Sequence, residues 1–131
     1  MRRDFELLAD DAAFLEECGY AWETLMDGSQ WVLLRDFAVP AGYAQTAVTA
    51  AIRLETGYPD AQLDMVYFDP ALSRRDGKPI AATNATQAID GRAFQRWSRH
   101  RTPQNPWIPG QDSLATHIML VEDWLEREFE K

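Results

Sequence analysis

The sequence predicts an α+β domain. Two observations carry this: helical apolar periodicity at both ends of the chain, and four closely spaced β-type runs between them. The connections between those runs are too short to hold crossover helices, so the strands should form an antiparallel meander.

Residues 4–18 read as the first helix. Phe5, Leu8, Ala12 and Leu15 recur at helical spacing, acidic residues fill the other faces, and Gly19 follows as a C-terminal stop. Tyr20 to Met26 is the first strand, ended by the Asp27-Gly28 turn signal. Trp31 to Val39 is the second, with Trp31, Leu33, Arg35 and Phe37 on one face and Val32, Leu34 and Asp36 on the other. Pro40-Ala41-Gly42 breaks it. Ala47 to Leu54 is the third, alternating Val48, Ala50, Ile52 and Leu54 with Thr49, Ala51 and Arg53. A turn at Gly57-Tyr58-Pro59-Asp60 leads to a short fourth strand, Met65 to Phe68, stopped by Pro70. Residues 70–93 show no clear period, and Ser73 to Lys78 read as an exposed loop. The last helix spans residues 112–129. Asp112 or Ser113 can cap it, Leu114, Ile118, Val121, Leu125 and Phe129 form its apolar stripe, and Glu122, Glu126 and Glu130 form an exposed acidic row. Both helices should pack on the four-stranded sheet. Leu33, Phe37, Ile52, Leu54, Phe68, Leu114, Ile118 and Val121 are the predicted core.

The 131 residues suit a single domain, 1–131, and the five Trp, four Tyr and six Phe argue for a folded core. A net charge of −8 argues against generic nucleic-acid binding. The charge is uneven: residues 74–101 carry seven Arg and Lys against two Asp, a basic island on an acidic chain. It reads either as a surface for an acidic partner or as a solvated loop. The single cysteine, Cys18, excludes an internal disulfide. No Cys/His cluster has zinc spacing, no apolar run has signal-peptide or membrane-span length, and a cytoplasmic chain without metal or cofactor is expected.

Four local motifs occur in order: Pro40 to Tyr43 (Pro-Ala-Gly-Tyr), Gly57 to Asp60 (Gly-Tyr-Pro-Asp), Trp97 to His100 (Trp-Ser-Arg-His) and Trp107 to Asp112 (Trp-Ile-Pro-Gly-Gln-Asp). Tyr58-Pro59 before an apolar strand, and Trp107-Ile108-Pro109 before a helix, resemble the ubiquitin-conjugating (UBC) enzymes, and the set of four resembles their divergent bacterial branch, from Phe5 to Phe129. The resemblance implies a UBC-like fold and a partner among ubiquitin-like proteins and their activating or conjugating machinery. It also implies a reactive position about eight residues before Trp107, where this chain has Arg99 and no cysteine. The His-Pro-Asn motif of those enzymes is missing as well. Carriage of a partner as a cysteine thioester, which needs an accessible thiolate, is therefore not expected.

Around that position His100 is the foremost catalytic candidate, because an imidazole can shuttle protons near neutral pH; its alternative is a structural histidine bonding a loop carbonyl. Ser98 is the second, as a hydroxyl nucleophile with His100 as base. Arg96, Arg99 and Arg101 can fork onto carboxylates of a partner. Trp97 and Trp107 can wall a groove for an extended tail, or pack in the core. Two functions stay open: a non-covalent adaptor, or an active transfer component using Ser98, His100 or a partner's cysteine.

Overall fold

The computed structural model describes residues Met1–Lys131. Helix α1 spans Ala9–Glu17. Strands β1 to β6 span Ala21–Met26, Gln30–Ala38, Ala47–Leu54, Val66–Asp69, Thr86–Ile89 and Arg92–Trp97. Helix α2 spans Leu114–Arg127, and a short 3-10 turn follows at Glu128–Glu130. The strands form one antiparallel sheet in the order β1-β2-β3-β4-β6-β5. The architecture is α+β with both helices on one face, compatible with a UBC-like fold.

The sheet has six strands, so the expected four-stranded meander is corrected. The aperiodic stretch 70–93 hides β5 and the start of β6. Its missed signal is Asp90-Gly91, where both residues have positive φ, 55° and 73°, as a two-residue type I′ hairpin turn requires.

The first helix is also shorter than the expected 4–18. Residues 2–5 run beside β1 instead: Thr24 donates its N–H to the Arg2 carbonyl at 3.1 Å, and the Asp4 N–H returns to the Thr24 carbonyl at 3.0 Å. Nor is Asp11 on a solvent face; it is buried.

One face of the sheet carries the main core. Val32, Leu34, Phe37, Val48, Ala50, Ile52, Leu54, Val66, Phe68 and Trp97 meet Leu15 of α1 and Leu114, Ile118, Val121 and Leu125 of α2. Those four α2 residues are at most 1% exposed. At roughly 1.5–3 kcal/mol each, their burial far exceeds the helix's intrinsic propensity, so docking is what holds α2. All eight predicted core residues are buried. Phe37, however, sits with Val32 and Leu34 rather than with Trp31 and Leu33. The β2–β3 register shifts between Leu34 and Phe37, and Asp36 takes φ 52°, which reverses the alternation.

The opposite face is buried as well. Trp31 meets Tyr67 edge-on at 5.2 Å, and the β5–β6 hairpin brings Ile89 and Phe94 against Leu25, Leu33 and Ala51. The hairpin tip is tied down at long range. The Asp90 N–H donates to Asp27 Oδ2 at 2.9 Å, and the Arg2 guanidinium grips the Asp90 carboxylate with two bonds of 3.1 and 2.8 Å. The sheet therefore curls over its own outer face.

The C-terminal turn is locked by charge. Glu128 is 3% exposed, and Arg74 reaches its carbonyl at 3.1 Å and its Oε2 at 3.5 Å. The Tyr43 hydroxyl donates to the Leu125 carbonyl at 2.7 Å while its ring meets Phe129 edge-on.

Candidate functional site

The candidate residues lie at the end of β6 and on the loop that returns to α2. β6 pairs with β4, so Arg96 faces Tyr67 and Trp97 faces Val66. Strand alternation sends Trp97 inward. It is fully buried between Phe68 and Tyr43, and its Nε1–H donates to Gln95 Oε1 at 3.0 Å. Its ring is thus part of the core, not a groove wall.

Arg99 stacks on the Trp97 ring with its guanidinium carbon 4.7 Å from the ring centroid. It donates to the Ala81 carbonyl at 2.9 Å and lies 3.5 Å from Glu128. Arg101 is held more firmly. Its Nε donates to the Leu63 carbonyl at 3.1 Å, its terminal nitrogen donates to His117 Nδ1 at 3.1 Å, and it stacks on Trp107 at 4.7 Å. The forks of Arg99 and Arg101 therefore grip the chain itself; they are not free for a partner's carboxylates. Within the basic island Arg74 also pairs with Asp76 and Glu128, and Arg92 with Asp69. Arg96 pairs with no carboxylate, and its Nε is buried without a hydrogen-bond partner.

His117 is completely buried on α2. Its Nε2 lies 2.9 Å from the Met65 carbonyl, which can only accept, and its Nδ1 lies against Arg101, which can only donate. The network thus fixes the neutral tautomer protonated on Nε2. Burial, with Arg101 adding to it, lowers the imidazole pKa from 6.5 to about 4. His117 is a positioning residue for Arg101, and in the sequence it is a polar ring set among Leu114, Ile118 and Val121.

Trp107 donates Nε1–H to the Pro59 carbonyl at 3.0 Å and packs against Tyr58. Tyr58 joins three elements: its hydroxyl donates to Asp11 Oδ2 at 2.6 Å and accepts the Leu114 N–H at 2.8 Å. Burial raises the pKa of Asp11 despite these bonds, and burial together with the Asp11 carboxylate raises that of Tyr58. Ser113 is the N-cap of α2, with its N–H on Thr116 Oγ1 at 3.0 Å, while Asp112 accepts the Ile108 N–H at 2.7 Å.

His100 is solvent-facing, its side chain 62% exposed. Its Nδ1 lies 2.6 Å from Asp64 Oδ2, leaving Nε2 free. Asp64 was not anticipated from the sequence, because it lies 36 residues away. Ser98 is half-buried, its N–H bonds the Ala82 carbonyl, and no hydrogen bond joins its hydroxyl to His100. Cys18, the C-cap of α1, is exposed and belongs to none of these contacts. No group of three or more His, Cys, Asp or Glu is placed to hold a metal, and no helix is long and apolar enough to cross a membrane.

An antiparallel sheet backed by two helices, with a Tyr-Pro turn bonded to a Trp-x-Pro loop, is compatible with an E2-like protein. The model of the Prokaryotic E2 family E matches residues 7–128, and the chain belongs to that family. No curated protein and no solved structure matches the chain. Family membership ties it to a prokaryotic ubiquitin-like pathway and to the machinery of that pathway.

Proposed function

We propose that this chain is a non-covalent adaptor that binds a ubiquitin-like protein or its machinery through the loop between β6 and α2. The carrying observation is the anchoring of that loop. Arg99, Arg101 and Trp107 are all spent on Trp97, Glu128, Leu63, His117 and Pro59. The loop is thereby fixed in one shape, while His100 and Ile108 face solvent. Preorganisation of this kind lowers the ordering cost of binding. A carrier would also need an activated nucleophile there, and the loop holds no thiol.

The test is calorimetry against a ubiquitin-like protein of the same genome. Ile108→Asp and His100→Ala should weaken binding without changing the unfolding midpoint, and Cys18→Ser should leave both unchanged. Equal affinities for wild type and both loop variants would remove the loop from consideration.

A second reading has one specific observation behind it. His100 with Asp64 behind its Nδ1 and a free Nε2 is the geometry of a general base. It could act on a hydroxyl or thiol, either from Ser98 after a rotation or from a partner. An alkali-labile, thiol-resistant adduct mapped to Ser98 by mass spectrometry would favour this transfer reading over the adaptor.

A further inference from the structure

The two edges of the sheet are treated differently. The β1 edge is covered by residues 2–5, which bond Thr24 on both backbone groups and place Asp4 Oδ2 on the Met26 N–H at 2.9 Å. No strand lies beyond β5.

The free groups of β5 follow from the turn. In a two-residue hairpin the pair flanking the turn, here Ile89 and Arg92, exchanges both hydrogen bonds, and bonded and unbonded pairs then alternate. Gln87–Phe94 and Ala85–Arg96 are the next bonded pairs, consistent with the Arg96 N–H on the Ala85 carbonyl at 2.9 Å. Thr86 and Ala88 therefore turn their N–H and C=O groups outward. Both residues are exposed, and the only nearby acceptor contact is a 3.3 Å bond from the Gln87 side chain to the Ala88 carbonyl. The strand reads Thr-Gln-Ala-Ile, without the Lys, Pro or bulge that usually guards an open edge.

We infer that the β5 edge is a docking site for an extended, acidic segment of a partner protein, which adds as a further strand. A row of backbone donors and acceptors at strand spacing is matched only by extended backbone. The charge selects the segment. Arg96 lies opposite Ala85 at the start of the edge with no carboxylate partner, and Lys78 on the preceding loop forms no ion pair. The nearest acid on the hairpin, Asp90, is already taken by Arg2 and Arg35. This inference stands apart from the loop proposed above, and its test uses neither that loop nor a ubiquitin-like protein.

The probe is a short synthetic peptide of alternating Glu and Val, with a Lys/Val peptide as its counterpart. Amide exchange followed by NMR should show Thr86 and Ala88 unprotected in the free protein and protected by the Glu/Val peptide. The Lys/Val peptide should bind at least about tenfold more weakly. Thr86→Pro removes an outward N–H without touching the ladder to β6, so it should weaken binding at least about tenfold at an unchanged thermal midpoint. Should that variant unfold, Ala88→Pro makes the same comparison, and exchange in the wild type decides independently. Unchanged exchange at both amides under saturating peptide would overturn the inference. So would equal affinity of wild type and a folded proline variant, or protection that appears with protein concentration alone.

Discussion

Acidification should act on this fold through His117. The imidazole is neutral and buried, donating to the Met65 carbonyl and accepting from Arg101. Protonation would set a second cation against the Arg101 guanidinium, with Asp64 and Asp112 the only carboxylates that offset it. The pKa falls from 6.5 to about 4 on folding. Between those values the unfolded chain binds the proton and the native state does not, so stability falls as pH drops through this window. Below the lower value both states are protonated and nothing more is lost. At 1.36 kcal/mol per pKa unit the full loss is about 3 kcal/mol. The assay is urea unfolding of wild type and His117→Gln at several pH values from 7 down to 4. Gln can still donate to Met65 but does not titrate. The variant will be less stable at neutral pH, and that offset should shrink by about 3 kcal/mol across the window. All other groups are common to the two proteins and cancel in the comparison. An offset that stays constant with pH would refute the assignment of a neutral, depressed His117.

Three further outcomes are expected. Arg101→Glu should cost about 2 kcal/mol or more in urea unfolding, because the Leu63 carbonyl and His117 lose a charged donor; an unchanged midpoint would return Arg101 to the partner surface. Gly42→Ala should cost about 1–3 kcal/mol, since φ is +110° there and the added methyl would run into the Phe129 ring; thermal unfolding checks this. Ile118→Asp should abolish the cooperative transition in circular dichroism, because it places an unpaired charge in a site with no exposure.

Much of the frame was legible. The β3 alternation at Val48, Ala50, Ile52 and Leu54 and the α2 stripe gave the right elements because each reports one buried face. What failed had particular causes. Arg92 and Arg96 masked β6, since their charges break the apolar rhythm although Phe94 and Trp97 bury fully between and beside them. The bulge at Asp36 turns Phe37 into the main core beside Tyr20 and Phe68, which no local pattern encodes. In the candidate site, the residues were found but their roles were not. An arginine on a free surface and one gripping a backbone carbonyl read alike in sequence, and only the fold brings Leu63 and His117 to Arg101 or Asp64 to His100.

The curl of the sheet has a consequence for how the chain is made. The hairpin tip bonds Arg2, 88 residues earlier, and Asp27, 63 residues earlier. A chain emerging from the ribosome can pair β1, β2 and β3 early. It cannot shield Trp31, Leu33 and Tyr67 until Ile89 and Phe94 have been synthesised. For that interval an aromatic surface stands open on the nascent chain, so this side of the sheet is the one a chaperone would meet.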